Sequence, residues 1–156
     1  MGDGFDAGHF NAFAALLAIR EFVRQREWRT KSIALQGAER VAARERHEIE
    51  GGRLFRIVIA VIVLAFMARI ASALLASEDL GIETLTPGHF HGWSGLLGLC
   101  LMSYLWSLGR KTSAKKVAGE SFARLKDLHG RLSDVMMGLI IIHAFLGFLY
   151  LLQLIA

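Results

Sequence analysis

Cysteine and proline are nearly missing from this sequence, and charged residues are missing from long stretches of it. Cys100 is the one cysteine and Pro87 the one proline among the 156 residues, so no disulfide can form within the chain. The C-x-x-C-H motif is absent, which excludes a covalently attached c-type haem. No basic segment followed by a cleavage site opens the sequence, so we expect no signal peptide.

The apolar content of the chain predicts a membrane protein. Hydrophobic residues make up 54% of it, charged residues only 21%, and the mean hydropathy is +0.43, which is unusual for a soluble domain. Because the charges cluster and leave long uncharged runs, we expect an all-α integral membrane protein. The runs predict three transmembrane helices, over about residues 53–76, 89–108 and 132–155. The net charge of +4 comes without a nucleic-acid-binding module, so we expect no nucleic-acid partner.

Residues 1–52 are expected to form a cytoplasmic helical region ahead of the transmembrane domain, residues 53–156. Apolar residues at helical spacing predict an amphipathic helix over residues 8–28, and its apolar part is too short to span a bilayer. This helix either docks on the membrane interface or a partner, or it covers the protein's own helices. Residues 32–50 predict a charged, solvated helix that ends where Gly51 and Gly52 follow it.

The distribution of Lys and Arg predicts the orientation of the three helices. Ten of the 18 basic residues precede the core of the first span, none lies in residues 77–88, and seven lie in residues 109–131. Because basic loops stay on the cytoplasmic side, we expect the N-terminus in the cytoplasm and the C-terminus on the opposite side. The expected location is an inner membrane of the plasma or energy-transducing type.

Two histidines lie on the last predicted helix. His129 and His143 are fourteen residues apart, a spacing that places them on one face of an α-helix and ~21 Å apart along it. We expect His129 at the cytoplasmic boundary and His143 within the hydrocarbon. An ionisable side chain at that depth indicates a functional site, and the alternative for His143 is a structural hydrogen bond to a neighbouring helix.

Two further histidines, His89 and His91, open the second predicted helix. The second and third helices are expected to be antiparallel neighbours because their connection is short, so His91 lies near the depth of His143. Neutral imidazole suits iron, and two imidazoles that face each other across a gap ligate a b-type haem axially. His129 has no histidine opposite it, so a second haem there needs a ligand from another subunit. The alternative for His89, His91 and His129 is an ordinary polar residue at a membrane boundary.

Arg69 and three glycines are further candidates on these helices. Arg69 lies within the first predicted span, which contains no acidic residue before it. It either reaches the far interface or binds an acidic group between helices, such as a haem propionate or a lipid headgroup. Gly92, Gly95 and Gly98 recur every three residues and leave space for another helix or for a flat cofactor.

Three segments of the sequence resemble a known family. The first is H-x-H-G-W-S-G at 89–95; after a basic loop come H-G-R-L-S-D-x-x-x-G at 129–138 and H-A-F-L-G at 143–147. Over residues 88–152 the chain resembles membrane b-type cytochromes, in particular the cytochrome b561-like group and its bacterial relatives. In that family, histidines on adjacent helices hold the haem. The resemblance implies that His143 and either His91 or His89 ligate one haem b, and that His129 would ligate another.

We therefore expect a haem-b-binding membrane subunit that takes part in electron transfer across the bilayer. The alternative is an accessory structural or pigment-binding subunit of a larger respiratory or photosynthetic complex. There His143 binds a chlorophyll-type tetrapyrrole through one imidazole, or binds none. The sequence contains no hydrolytic triad and no glycine-rich phosphate loop. We therefore expect an electron-transfer or accessory subunit rather than an independent enzyme. The expected partners are the lipid bilayer and other membrane subunits.

Overall fold

The computed structural model describes residues 16, 19–27, 31, 34–77 and 79–155. Within these ranges the regular structure is helical and no strand is present, so the prediction of an all-α fold is confirmed. Residues 19–27 are helical, whereas residues 8–15 of the predicted amphipathic helix lie outside the described residues. The helices that follow are α1 (Gly37–Leu75), α2 (Ile82–Leu85), α3 (Phe90–Val117) and α4 (Ala123–Ile155).

Two of the described helices are long and apolar enough to cross a membrane. They are α1 and the Ala123–Gln153 part of α4. Both expose large apolar side chains, which lipid can cover but water solvates poorly; examples are Val63, Leu64, Met67, Ile141, Ile142, Phe145 and Phe148. Length and apolar composition therefore favour membrane insertion for these two helices.

The described residues form two compact units that divide between Val61 and Ile62, inside α1. In the first unit, residues 19–27 contact α1. Arg24 and Gln25 donate hydrogen bonds to the Glu50 carboxylate at 2.8 and 3.2 Å. This part of the predicted amphipathic helix therefore contacts the protein's own charged helix.

The helix end predicted at Gly51 and Gly52 is wrong, because α1 continues through both residues. A glycine inside a helix costs about 1 kcal/mol relative to alanine. That cost is too small to end a helix which buries Leu54 beside the glycines and continues into an apolar run.

The connection between the second and third predicted helices is shorter than the sequence indicated. Helix α3 ends at Val117 and α4 begins at Ala123, so most of the basic segment 109–131 is helical. Gly119 has a φ of +71°, which glycine adopts at little cost. The Lys115 ammonium bonds the Glu120 carboxylate at 2.6 Å; this hydrogen bond and, after it, the lysine charge lower the pKa of Glu120.

In the second unit, α3 and α4 form the one pair of described helices with extensive contacts. The short connection makes them antiparallel neighbours. Their buried side chains are Met102, Leu105 and Leu108 from α3 and Met136 from α4. This helix pair positions the histidines of the candidate site.

Candidate functional site

Histidines of α3 and α4 meet where α3 begins and α4 approaches its end. The rings of His91 and His143 stack with their centroids 4.1 Å apart and their planes 19° apart. The His89 ring stacks 5.9 Å from that of His91 and 4.1 Å from that of Tyr150. These four side chains form a continuous row of rings, which we call the ring stack.

A hydrogen bond fixes the tautomer of His91. Its Nδ1 lies 3.1 Å from the carbonyl oxygen of His143. A carbonyl oxygen only accepts, so Nδ1 carries the hydrogen and donates it. Neutral His91 therefore keeps its lone pair on Nε2, the nitrogen that can bind a metal.

The tautomer of His143 follows from Ser94. The Ser94 hydroxyl donates its single hydrogen to the carbonyl oxygen of His91 at 2.8 Å. Nδ1 of His143 also lies 2.8 Å from Ser94 Oγ, and this contact needs a hydrogen from the ring. Nδ1 of His143 therefore donates, and the lone pair of neutral His143 lies on Nε2.

His89 has the opposite tautomer, because it caps α3. The backbone N–H of Gly92 donates to His89 Nδ1 at 3.0 Å, so Nδ1 accepts and Nε2 carries the hydrogen. This bond satisfies one of the free N–H groups in the first turn of the helix. Of the two histidines that the sequence left open, only His91 has a lone pair on Nε2 for a metal.

Each interhelical imidazole lies against a glycine of the opposite helix. A Cβ added to the glycine would approach Cε1 of the ring to 2.8 Å for Gly147 and His91, 3.2 Å for Gly95 and His143, and 3.5 Å for Gly109 and His129. The space that the sequence predicts beside Gly92, Gly95 and Gly98 is filled by side chains. Pro87 lies over Gly92, the His143 ring over Gly95 and Leu139 over Gly98.

The His129 ring has a setting that corresponds to that of His143, fourteen residues away along α4. Its Nδ1 lies 3.1 Å from the carbonyl oxygen of Leu105, four residues before Gly109. The ring of His143 is linked through Ser94 to the carbonyl oxygen of His91, four residues before Gly95. The spacing of the two histidines thus matches the spacing of the two glycines that they contact.

Arg69 contacts the segment that leads into α3. Its Nε donates to the carbonyl oxygen of Thr84 at 3.0 Å, and its Nη2 to those of Glu83 and Thr86 at 3.2 and 3.0 Å. These are carbonyl groups at the end of the short helix α2. These acceptors could not be predicted from the sequence, because they depend on how the chain folds back after α1.

A haem iron with two axial imidazoles does not fit between His91 and His143 as they are placed here. Such an iron needs a ring nitrogen on each of its two sides, each about 2 Å away. The two rings instead lie face to face, and Gly95 and Gly147 allow this close approach. Either histidine can instead supply a single imidazole ligand to a metal, because each ring keeps its lone pair on Nε2. Among the described residues no group of three or more His, Cys, Asp or Glu side chains can hold a metal ion.

The fold and the site together define an all-helical protein in which α1 and α4 are suited to a membrane and a histidine ring stack lies between α3 and α4. Comparisons with protein families, with curated proteins and with solved structures find no match to this chain.

Proposed function

We propose that the chain is a membrane subunit that binds haem b through one axial imidazole, that of His143, and takes part in electron transfer across the bilayer. The observation that carries this proposal is the 2.8 Å contact between His143 Nδ1 and Ser94 Oγ, from which the tautomer of His143 is inferred. Its Nδ1–H is held by Ser94 while Nε2 keeps the lone pair, and histidines that bind metals have this arrangement. His143 also lies within the apolar part of α4, where a neutral imidazole is favoured over a charged one.

The surrounding residues orient the imidazole and partly bury it. The ring of His143 packs against Gly95, and the ring of His91 stacks on the face of the His143 ring. The haem itself would supply one-electron redox chemistry. Any further ligand to the iron would come from outside this histidine pair.

We also propose that α3 is a third membrane-spanning helix. It packs along α4, and a connection of only five residues joins the two. Three spans with a cytoplasmic N-terminus keep both Lys- and Arg-rich segments on the cytoplasmic side of an inner membrane, as the positive-inside rule requires.

A second candidate function is an accessory, pigment-binding subunit of a larger respiratory or photosynthetic complex. The same ring stack favours it, because the magnesium of a chlorophyll-type tetrapyrrole needs one imidazole only. Solvent extraction of the purified protein separates the two functions. A b-type haem spectrum of the extract after reduction in pyridine supports the first, whereas a chlorophyll-type spectrum supports the second. An extract that contains neither contradicts both.

His143→Leu is the substitution that tests the ligand. We expect the chain to insert into the membrane but to lose the tetrapyrrole, measured as pigment absorbance per chain. The matched control is His89→Asn, because asparagine also caps a helix and His89 presents no Nε2 lone pair. The control is expected to keep the pigment. Retention of pigment by His143→Leu, or its loss only in His91→Leu, contradicts the assignment of His143.

A further inference from the structure

The hydrogen bond of the Nδ1 atom differs between His143 and His129. Nδ1 of His129 donates directly to the carbonyl oxygen of Leu105. Nδ1 of His143 donates to Ser94 Oγ, which in turn donates to the carbonyl oxygen of His91. Fourteen residues after Ser94 the chain has Leu108, which has no hydroxyl. The hydrogen bond of His143 therefore passes through the Ser94 hydroxyl, whereas that of His129 goes directly to a carbonyl oxygen.

The bonding of Ser94 determines which ring nitrogen of His143 carries the hydrogen. A hydroxyl has one hydrogen, and the His91 carbonyl takes it. Oγ is thereby left as an acceptor toward the ring, and Nδ1 of His143 must donate. Without the hydroxyl, Nδ1 has no acceptor at this position, and the tautomer with hydrogen on Nε2 is no longer disfavoured. That tautomer cannot bind a metal through Nε2.

We propose that Ser94 is a positioning residue that fixes the tautomer and the ring orientation of His143 and so directs its Nε2 to the metal of a bound tetrapyrrole. The metal-binding part of this proposal rests on the proposed function. The part about the tautomer concerns the protein without any tetrapyrrole and is measured separately.

The first experiment measures the tautomer in the protein without a tetrapyrrole. In protein labelled with ¹⁵N-histidine and purified in detergent, we expect a hydrogen-bearing Nδ1 and a lone-pair Nε2 for His143, assigned with His143→Leu. Ser94→Ala is expected to give a mixture of tautomers, and Ser94→Thr, which keeps a hydroxyl, to restore the original signals. The matched control is Ser103→Ala, because Ser103 Oγ donates to the carbonyl oxygen of Leu99 on the same helix at 2.8 Å.

The second experiment measures binding of zinc protoporphyrin, whose metal takes one axial ligand, by fluorescence titration of the same variants. We expect Ser94→Ala to bind about 10- to 100-fold more weakly than the unsubstituted protein, the usual effect of removing a bond that orients a metal ligand. Ser94→Thr and Ser103→Ala are expected to bind as the unsubstituted protein does.

The two experiments distinguish failure of this inference from failure of the proposed function. If Ser94→Ala matches Ser103→Ala in both its ¹⁵N signals and its affinity, the role of Ser94 is overturned. If the tautomer changes but no variant binds zinc protoporphyrin, including the unsubstituted protein, the proposed function fails and the tautomer role stands. If the tautomer changes while the affinity does not, the link between Ser94 and metal binding is overturned.

Discussion

At the scale of single residues, the ring stack depends on glycines as much as on histidines. The two helices approach closely enough for an imidazole of one to contact the backbone of the other. Gly147 is the tightest of these contacts, since an added Cβ would lie 2.8 Å from Cε1 and 3.0 Å from Nδ1 of His91. No Cβ fits at that distance unless the ring moves, and the ring is held by its bond to the His143 carbonyl.

We therefore expect Gly147→Ala to destabilise the helix pair by about 1–3 kcal/mol, the usual cost of inserting a methyl group into a filled interior. The matched control is Gly138→Ala on the same helix, where an added Cβ meets nothing within 4 Å. The control is expected to be neutral, or more stable by up to about 1 kcal/mol because alanine favours a helix.

The measurement is unfolding in mixed detergent and SDS, followed by tryptophan fluorescence. Equal midpoints for the two alanine variants would mean that the contact between Gly147 and His91 does not contribute to stability. A loss in Gly138→Ala alone would place the tight packing on another face of α4.

The sequence permits part of this site to be predicted and not the rest. Helical periodicity and the antiparallel connection suffice to expect His91 near His143. The tautomers require the positions of individual acceptors. The Ser94 hydroxyl meets the His143 ring, and the His143 carbonyl meets the His91 ring, only when the two helices are in register. The stacking depends on how closely the backbones approach, and a glycine pattern alone does not specify whether a side chain, a helix or a cofactor fills the space.

At the scale of elements, the segment between α1 and α3 depends on Arg69. Its guanidinium bonds three carbonyl oxygens at the end of α2, which a lysine ammonium cannot reproduce because it lacks the planar fork of donors. A helix of four residues has little stability of its own. Its conformation is therefore maintained from α1.

We expect Arg69→Lys to loosen α2 without unfolding α3 and α4. The amides of Thr84 and Thr86 bond the carbonyl oxygens of Gly81 and Ile82, and their hydrogen exchange should become about tenfold faster, which corresponds to ~1.4 kcal/mol. Mass spectrometry of peptides that cover residues 79–88 measures it. Arg56→Lys, at an exposed position of the same helix, is the control. Unchanged exchange in Arg69→Lys would mean that these bonds do not hold the segment.

The elements themselves were partly predictable. The apolar runs locate α1, α3 and α4, because an apolar run of this length is favoured to leave water as a helix. The ends of the helices were not predictable from hydropathy, since charged residues such as Lys115 and Arg124 continue a helix as well as apolar ones do. Gly51 and Gly52 were also misleading about a helix end. Their low helix propensity is outweighed by the helical residues on both sides.

At the scale of the whole molecule, the proposed third span determines on which side of the membrane residues 109–131 lie. Helices α1 and α4 are apolar enough to do so, whereas His, Gly, Ser and Trp interrupt the apolar run of α3. If α3 does not cross, the segment 109–131 lies on the same side as residues 77–88. That arrangement places seven Lys and Arg residues on the non-cytoplasmic side, against the positive-inside rule.

Cysteine labelling decides between three spans and two. Because Cys100 is the one cysteine, Cys100→Ser gives a background without any thiol. Single cysteines at Asp79 and Ser121, both exposed, then report on the two connections. With three spans we expect a membrane-impermeant maleimide to label Asp79→Cys in intact cells and Ser121→Cys only after permeabilisation. Labelling of both positions in intact cells would mean that α3 does not cross and that its histidines bind their ligand from one side of the membrane.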